Sequence, residues 1–473
     1  MALLIKGGTL VTASETVRAD VRIEGEKVAL VGKDLPVTGD AEVVDATGKL
    51  ILPGGVDVHT HFDLPSLGTV SSDDHYTGHK AAAFGGTTTV IDFVPLEGSS
   101  LLQAVDSWHQ KVEPKAAIDY GFHMNLTQWS EQIKTEIPRL IQEGIASIKV
   151  FMAYNGRMRL SDGAIFEAMR IARDAGILTM LHAENGDVIE LLVDEALKAG
   201  QVTPEWHART RPAWGSVEAT LRGCALAAQA GAPLYVVHMN AGGEVDVLSY
   251  ARDRGVRVMG ETCPQYLFFS EDDLRRPDGA KWVCSPPLRT FADQERLWRG
   301  LAQGSLQVIG TDHCPFFLDG TRPILYEGEP VAIPGKELGF KDFSQMPNGV
   351  PGVGDRMPVL WTYGVEKGRI SANQFVALTC TNPAKVFGLY PQKGAILPGS
   401  DADLVIWDPQ REVTYGLKHA QHRTDYNLYE GWALKGYPER VFLRGECIVD
   451  HERWLGHAGM GRFLRRKPFS EFL

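Results

Sequence analysis

The sequence has no pair of cysteines at C-x-x-C spacing. Its six cysteines, Cys224, Cys263, Cys284, Cys314, Cys380 and Cys447, are scattered along 473 residues. That excludes a zinc knuckle and offers no disulfide framework. No run reaches the roughly 18 apolar residues that a membrane-spanning helix needs. The opening stretch "MALLIKGGTLVTASE" has neither a sustained apolar core nor a cleavage site. Positive charge is also short: 48 Lys and Arg stand against 59 Asp and Glu, a formal charge of −11. Such a chain is a poor match for nucleic acid or for an anionic membrane surface. Its one basic cluster, "RRK" at 465–467, reads as a solvated face of the tail. Internal repeats of fixed period and low-complexity segments are missing too. A cytoplasmic protein with reduced thiols is expected.

What is present is the composition of a soluble globular protein, 44% hydrophobic and 23% charged, long enough for a sizeable core and for two or three domains. The first fifty residues read as β: "LLIKGGTLVT", "RADVRIEG", "EKVALVGKDL" and "AEVVDATGKLILPG" are short Val- and Ile-rich runs parted by turn residues. From Pro53 the texture changes. Apolar strands alternate with helical stretches: "VDVHTHF", "TTTVIDFV", "IDYGFHMNL", "ASIKVFMAY", "ILTMLHAE", "PLYVVHMN", "VRVMGETC" and "LQVIGTDH". Between them "DGAIFEAMRIARDAG" (162–176) carries an apolar stripe at helical spacing and a Gly stop. Eight strand candidates alternating with helices suit a (β/α)8 TIM-like barrel better than a doubly wound sheet. "TNPAKVFGL" (381–389) starts a further helix, with Asn382 as N-cap and Pro383 in its first turn. After it β texture returns in "GAILPGSDADLVIWDP" and "ERVFLRGECIVD". The expected organisation is therefore a barrel over 53–391 and a small β-sandwich built jointly from 1–52 and 392–450. A C-terminal tail follows over 451–473.

In a parallel barrel, reactive side chains sit at the C-terminal ends of strands. The polar residues that end or interrupt the apolar runs are His59 and His61, Lys149, His182, His238 and Asp312. In a strand His59 and His61 share a face. Four histidines and an aspartate on one rim suit a borderline divalent ion such as Zn²⁺, and also Fe, Mn or Co. Lys149 lies inside an apolar strand, where a free ammonium is costly to bury unless paired or deprotonated. Beside metal-binding histidines it would repel the cation. Carbamylation by CO2 removes both problems by turning the amine into a bridging anion. His75, His79, His109, His207, His419, His422, His451 and His457 lie in helical or loop texture and are expected at the surface. His123, near the middle of a strand, is expected in the core.

These residues carry a resemblance. H-x-H on the first strand, a strand-borne Lys, two later single His and a strand-end Asp resemble the binuclear amidohydrolases. More closely, "HTHFDLPSLGTVSSDD", "GGTTTVIDFV", "KVFMAY", "HAENGD", "CSPPLR", "GTDHCPF" and "PNG" resemble the dihydropyrimidinase/hydantoinase family over nearly the whole chain. The resemblance implies a cyclic amidohydrolase of pyrimidine degradation or hydantoin hydrolysis, acting through a hydroxide that bridges two divalent ions per chain. His59, His61 and Asp312 are implied as ligands of one ion and His182 and His238 of the other, with carbamylated Lys149 bridging. Asp312 is implied as the proton carrier and Tyr154 as the donor to the oxyanion. Main-chain groups of Ser285 and Asn348 are implied to grip the ring imide, and Leu64, Phe151 and Met158 to meet its substituent. Ser66 and Met158 stand where bulkier residues are common in the family.

Dihydroorotases and allantoinases resemble the chain more distantly, and their Arg-containing segment after H-x-H is replaced here by "HFDLPSLGTV". A neutral ring is therefore expected as substrate. Two other classes are weighed. Non-enzymatic scaffold relatives lose metal ligands, whereas all six positions are intact. A mononuclear deaminase-like site needs no bridging anion, which Lys149 supplies. The tail carries Trp454, Leu455, Phe463, Leu464, Phe469, Phe472 and Leu473, too much apolar surface to leave in water. Family members are usually homotetramers, so an intersubunit tail and a homotetramer are expected. The Gly/Pro-rich excursion over 316–343 is long enough to be functional, with no task legible in it.

Overall fold

The computed structural model describes residues 2–39 and 41–469. Eight parallel strands form the centre: β1 Gly55–Thr60, β2 Thr87–Val94, β3 Asp119–Asn125, β4 Ser147–Phe151, β5 Leu178–His182, β6 Leu234–Val236, β7 Val258–Thr262 and β8 Val308–Ile309. Each pairs with its sequence neighbour. Closure comes from a parallel bridge between Thr60 and His313, where the His61 N–H donates to His313 O at 2.8 Å. The result is the (β/α)8 barrel that the alternation of apolar runs and helices implies. Nearly every strand residue is buried, as a parallel sheet covered on both faces requires.

Two further sheets flank the barrel. In the larger, Leu50–Pro53 runs antiparallel to Leu404–Thr414, with Leu404 opposite Pro53 and Ile406 opposite Ile51. Strands from both ends of the chain thus share one sheet, and the chain leaves it to build the barrel and returns. Leu3, Ile5, Val21, Ile23, Ile51, Leu404, Ile406 and Phe442 fill the core between this sheet and a four-stranded one. A buried ion network fastens it to the barrel. Lys393 Nζ lies 2.6 Å from Asp119 at the start of β3 and 2.7 Å from Asp403, just before Leu404. The carboxylates outweigh burial and hold the Lys393 pKa above its ordinary value.

The tail follows the barrel of its own chain. Tyr120 N–H donates to Arg462 O, Leu464 N–H to Tyr120 O, Arg466 N–H to Gly144 O and Phe469 N–H to Gly176 O. Phe463 stacks among Tyr120, Phe122 and His109, and Leu464 is buried. Part of the apolar surface that suggested a neighbouring subunit is therefore covered within the chain, while Leu455 stays 43% exposed; Phe472 and Leu473 lie outside the described residues. The "RRK" cluster is not a solvated face throughout. Arg466 is buried and donates to Ser147 Oγ at 2.8 Å, because the strand-like pairing of the tail turns every second side chain inward.

Two other expectations are corrected. His75, His79, His207 and His422 are buried, not superficial. Their rings serve the loops and helices packed over the barrel: His79 Nδ1 accepts from Ala117 N–H at 3.1 Å and His422 Nε2 from Gly354 N–H at 3.0 Å. Asn382 is not a cap. Helical backbone already runs from Ala372 through a π turn at Ala377–Thr381 into Asn382–Val386, and the Asn382 amide instead donates to Gln307 O at 2.9 Å. Among the described residues no helix is long and apolar enough to cross a membrane.

Candidate metal centre

The C-terminal ends of the barrel strands converge on a cavity of about 170 Å³. His59 comes from β1, His61 from just beyond it, Lys149 from β4 and His182 from the end of β5. His238 and Asp312 follow β6 and β8 by two and three residues. His61, Lys149, His182, His238 and Asp312 line the cavity wall, and His59 lies beneath it, fully buried.

Side-chain nitrogens and one carboxylate crowd together here. His59 Nε2 and His61 Nε2 each lie 3.1 Å from Asp312 Oδ1, and these three residues form a cluster able to hold a metal ion. Lys149 Nζ is 3.1 Å from His59 Nε2 and sits over the Phe93 ring, 4.3 Å from its centroid. His182 Nδ1 faces His238 Nε2 at 2.9 Å. Burial, helped by neighbouring cationic groups, pushes His238 well below the usual imidazole range. Burial also takes His61 down to about 4 and lowers Lys149. For Asp312 burial works the other way, but His59 and His61 prevail and hold its carboxyl well below the usual range. At His59 burial is outweighed by Glu261 and Asp312, which raise its pKa. Imidazole nitrogens gathered around an ionised carboxylate are the donor chemistry of a divalent-ion site, which takes the place of their protons, so the residues fit the group that the spacing suggests.

Backbone strain marks the same rim. Tyr154 (φ 67°), His238 (φ 39°) and Asp312 (φ 53°) all lie in the left-handed region, which costs a non-glycine residue about 1 kcal/mol or more. Three such residues around one cavity are held there by the surrounding fold. The substrate-facing candidates also meet at this cavity: Tyr154, Ser285, Asn348, Leu64, Phe151, Met158 and Ser66 all line it. The Tyr154 ring is 5.0 Å from that of His182, and burial holds its hydroxyl protonated by raising its pKa. Ser285 Oγ lies 3.1 Å from His207 Nε2.

Several residues of the site escaped the reading of strand ends. Glu261 on β7 sits 2.5 Å from His59 Nδ1 and accepts from Tyr235 OH at 2.9 Å and from His238 N–H at 3.0 Å. Glu184 Oε2 lies 2.9 Å from His182 Nε2. Both carried a signal, since each is a polar residue in or just after an apolar strand. Asn125 lines the cavity with its Oδ1 buried and unpartnered. Arg157 is an exposed guanidinium on the cavity wall, and nothing in the local pattern marked it. His313 bonds Asp73 at 3.1 Å and accepts from Gly352 N–H at 3.0 Å, so it braces the segment carrying Asp312 from behind.

Known proteins resemble this chain over its whole length. A profile of the amidohydrolase family matches residues 50–448. A D-hydantoinase of Geobacillus stearothermophilus is 44% identical, over 100% of this chain and 98% of its own. A D-hydantoinase of Streptomyces coelicolor is 45% identical over 98% and 97%. Among solved structures, the dihydropyrimidinase of Brevibacillus agri superposes with a TM-score of 0.95 at 46% identity, covering 100% of both chains.

Glu261 gives the site its first test. A carboxylate on His59 Nδ1 fixes the tautomer that leaves Nε2 as a lone-pair donor into the cluster. Glu261→Gln is expected to weaken divalent-ion affinity about 10- to 100-fold, read by competition with a chromophoric chelator. Unchanged affinity would show that Glu261 does not orient His59.

Proposed function

The chain belongs to the amidohydrolase family, in its hydantoinase branch, and is a cyclic amidohydrolase; on that premise we propose that it opens dihydropyrimidines and 5-substituted hydantoins to N-carbamoyl amino acids. The observation that carries this reading is the meeting of His61, Lys149, His182, His238, Asp312, Tyr154, Ser285 and Asn348 at one cavity. His59, His61 and Asp312 would hold one divalent ion and His182 and His238 a second, with Lys149 between them as its carbamate. Zinc suits the donor set first, with Mn, Co or Fe also acceptable. Two such ions supply Lewis acidity and make water nucleophilic at neutral pH. The lowered pKa of Lys149 supports the carbamate, because the free amine is the form that adds CO2.

The remaining work falls to the chain's own groups. Asp312, held ionised, takes the proton of the attacking water and returns it to the departing ring nitrogen. The Tyr154 hydroxyl, held protonated, donates to the carbonyl oxygen as charge develops on it. Main-chain groups of Ser285 and Asn348 hold the imide, and Leu64, Phe151 and Met158 contact the ring's substituent. The cations lining the cavity are Lys149 and Arg157. Arg157 is exposed to water, where a charge contributes little, so the pocket offers no buried partner for a ring carboxylate. The names of the relatives favour hydantoins over allantoin as substrates, and the D series over the L.

We also propose a homotetramer. Val188 and Leu191 on Gly186–Lys198, and Trp214 and Leu221 on Ala213–Ala230, are exposed, Trp214 by 80%. These helices supply apolar surface that suits a subunit contact. Light scattering is expected to give four chain masses for the intact protein and a smaller species for Trp214→Glu. A monomeric intact protein would remove the assembly.

Turnover on a panel of rings tests the function. Dihydrouracil, hydantoin and D-5-phenylhydantoin are expected to be opened. Dihydroorotate should show kcat/KM at least about tenfold lower, because its carboxylate would be desolvated without a partner. A preference for dihydroorotate or allantoin would overturn the substrate assignment.

A further inference from the structure

Among the described residues Lys336 is a lysine buried to 0% exposure with no carboxylate within ion-pair distance. It belongs to the 316–343 excursion, whose short hairpin, Ile324–Tyr326 with Glu329–Val331, exposes Leu325 on one face and is held on the other by Glu327, 2.6 Å from Lys80 Nζ. The neck of the excursion is closed. Glu337 accepts from Gly320 N–H at 3.0 Å and from Gly335 N–H at 2.9 Å, and Lys336 N–H donates to Phe317 O at 2.7 Å. From this locked neck the Lys336 side chain runs inward. Its Nζ donates to Val283 O at 2.8 Å and lies 3.4 Å from Pro347 O.

Those two carbonyls belong to the two segments that meet at the cavity. Val283 stands two residues before Ser285, and Pro347 is next to Asn348. The segments also join directly, since Gly349 N–H donates to Val283 O at 3.0 Å. Gly349 lies at φ 154°, and a Cβ there would come within 2.2 Å of Cys314 O, so this backbone has no room to adjust on its other side. Among the described residues Lys336 therefore adds a side-chain donor that reaches both segments. Burial takes its pKa down to about 7, yet amine and ammonium alike can donate to a carbonyl.

We propose that Lys336 is a positioning residue for substrate: it ties the 283–285 and 347–349 segments into one rigid cradle for the ring imide, and this is the task of the inner end of the excursion. The inference rests on the reading above that main-chain groups of Ser285 and Asn348 hold the imide. Contacts of that kind are made equally in the bound substrate and in the transition state. Their loosening raises KM and leaves kcat nearly unchanged. A purely structural role would lower the melting temperature without moving KM.

The test uses the metal-loaded enzyme with Lys336→Met and Lys336→Gln, the second retaining a donor. Steady-state rates are measured on hydantoin and dihydrouracil together with metal content and melting temperature. Lys336→Met is expected to raise KM about tenfold with kcat within about twofold and metal content unchanged, and Lys336→Gln to fall between it and the parent. If Lys336→Met does not fold, a raised KM in Lys336→Gln at full metal content supports the proposal. Parental KM in whichever variant folds overturns it, as does a loss confined to kcat. Failure of the parent enzyme to open either ring would instead overturn the proposed function.

Discussion

Nitrogen faces nitrogen at two places on the barrel rim. His182 Nδ1 meets His238 Nε2 at 2.9 Å, and Lys149 Nζ meets His59 Nε2 at 3.1 Å. An imidazole pair can share one proton, but the remaining lone pairs, with the Asp312 carboxylate among them, call for positive charge. His59, Lys149, His182 and His238 are all nearly fully buried, so that demand falls on whatever the cavity holds. The second carboxylates confirm which nitrogen of each ring is turned inward. Glu261 takes His59 Nδ1 and Glu184 takes His182 Nε2, leaving the opposite nitrogen of each ring to the cavity. This crowding of nitrogen and carboxylate donors is what the rest of the structure is arranged to hold.

That arrangement costs stability at the rim and recovers it elsewhere. Tyr154, His238 and Asp312 sit in the left-handed backbone region, and several buried groups crowd without full pairing. The opposite end of the barrel is tied down. Lys393 joins Asp119, Asp401 and Asp403 across to the flanking sheet, and the tail runs past β3 with Arg466 inserted toward Ser147. Breaking a buried pair of this kind typically costs about 3–5 kcal/mol. A rigid lower end lets strained residues persist at the upper one, and the strained end is where substrate is expected to bind.

Much of this was legible in the chain. The apolar runs place the eight strands, because a strand buried on both faces must be nearly continuous in apolar residues. A histidine, lysine or aspartate ending such a run stands out, so the six strand-end residues could be named before any contact was known. Burial of residues outside that pattern could not. His75 and His79 look like surface helix residues, yet Phe62, Trp108 and Tyr120 pack against their rings. Glu261 was missed because attention to strand ends overlooks a polar residue one position inside. Lys336 lies in a Gly/Pro-rich loop, and only the contacts with Val283 and Pro347, 53 and 11 residues away, give it meaning. The tail makes a related point: counting apolar residues shows that they must be covered, but not by which surface.

The central claim is that the rim gathers two divalent ions around a modified lysine. Diffraction from crystals of metal-loaded protein, recorded on either side of the absorption edge of the bound metal, tests it most directly. The account predicts two anomalous peaks, one among His59, His61 and Asp312 and one between His182 and His238. Continuous extra density should extend from Lys149 Nζ toward both. A single peak, or a bare Lys149 amine beside two occupied positions, would contradict it.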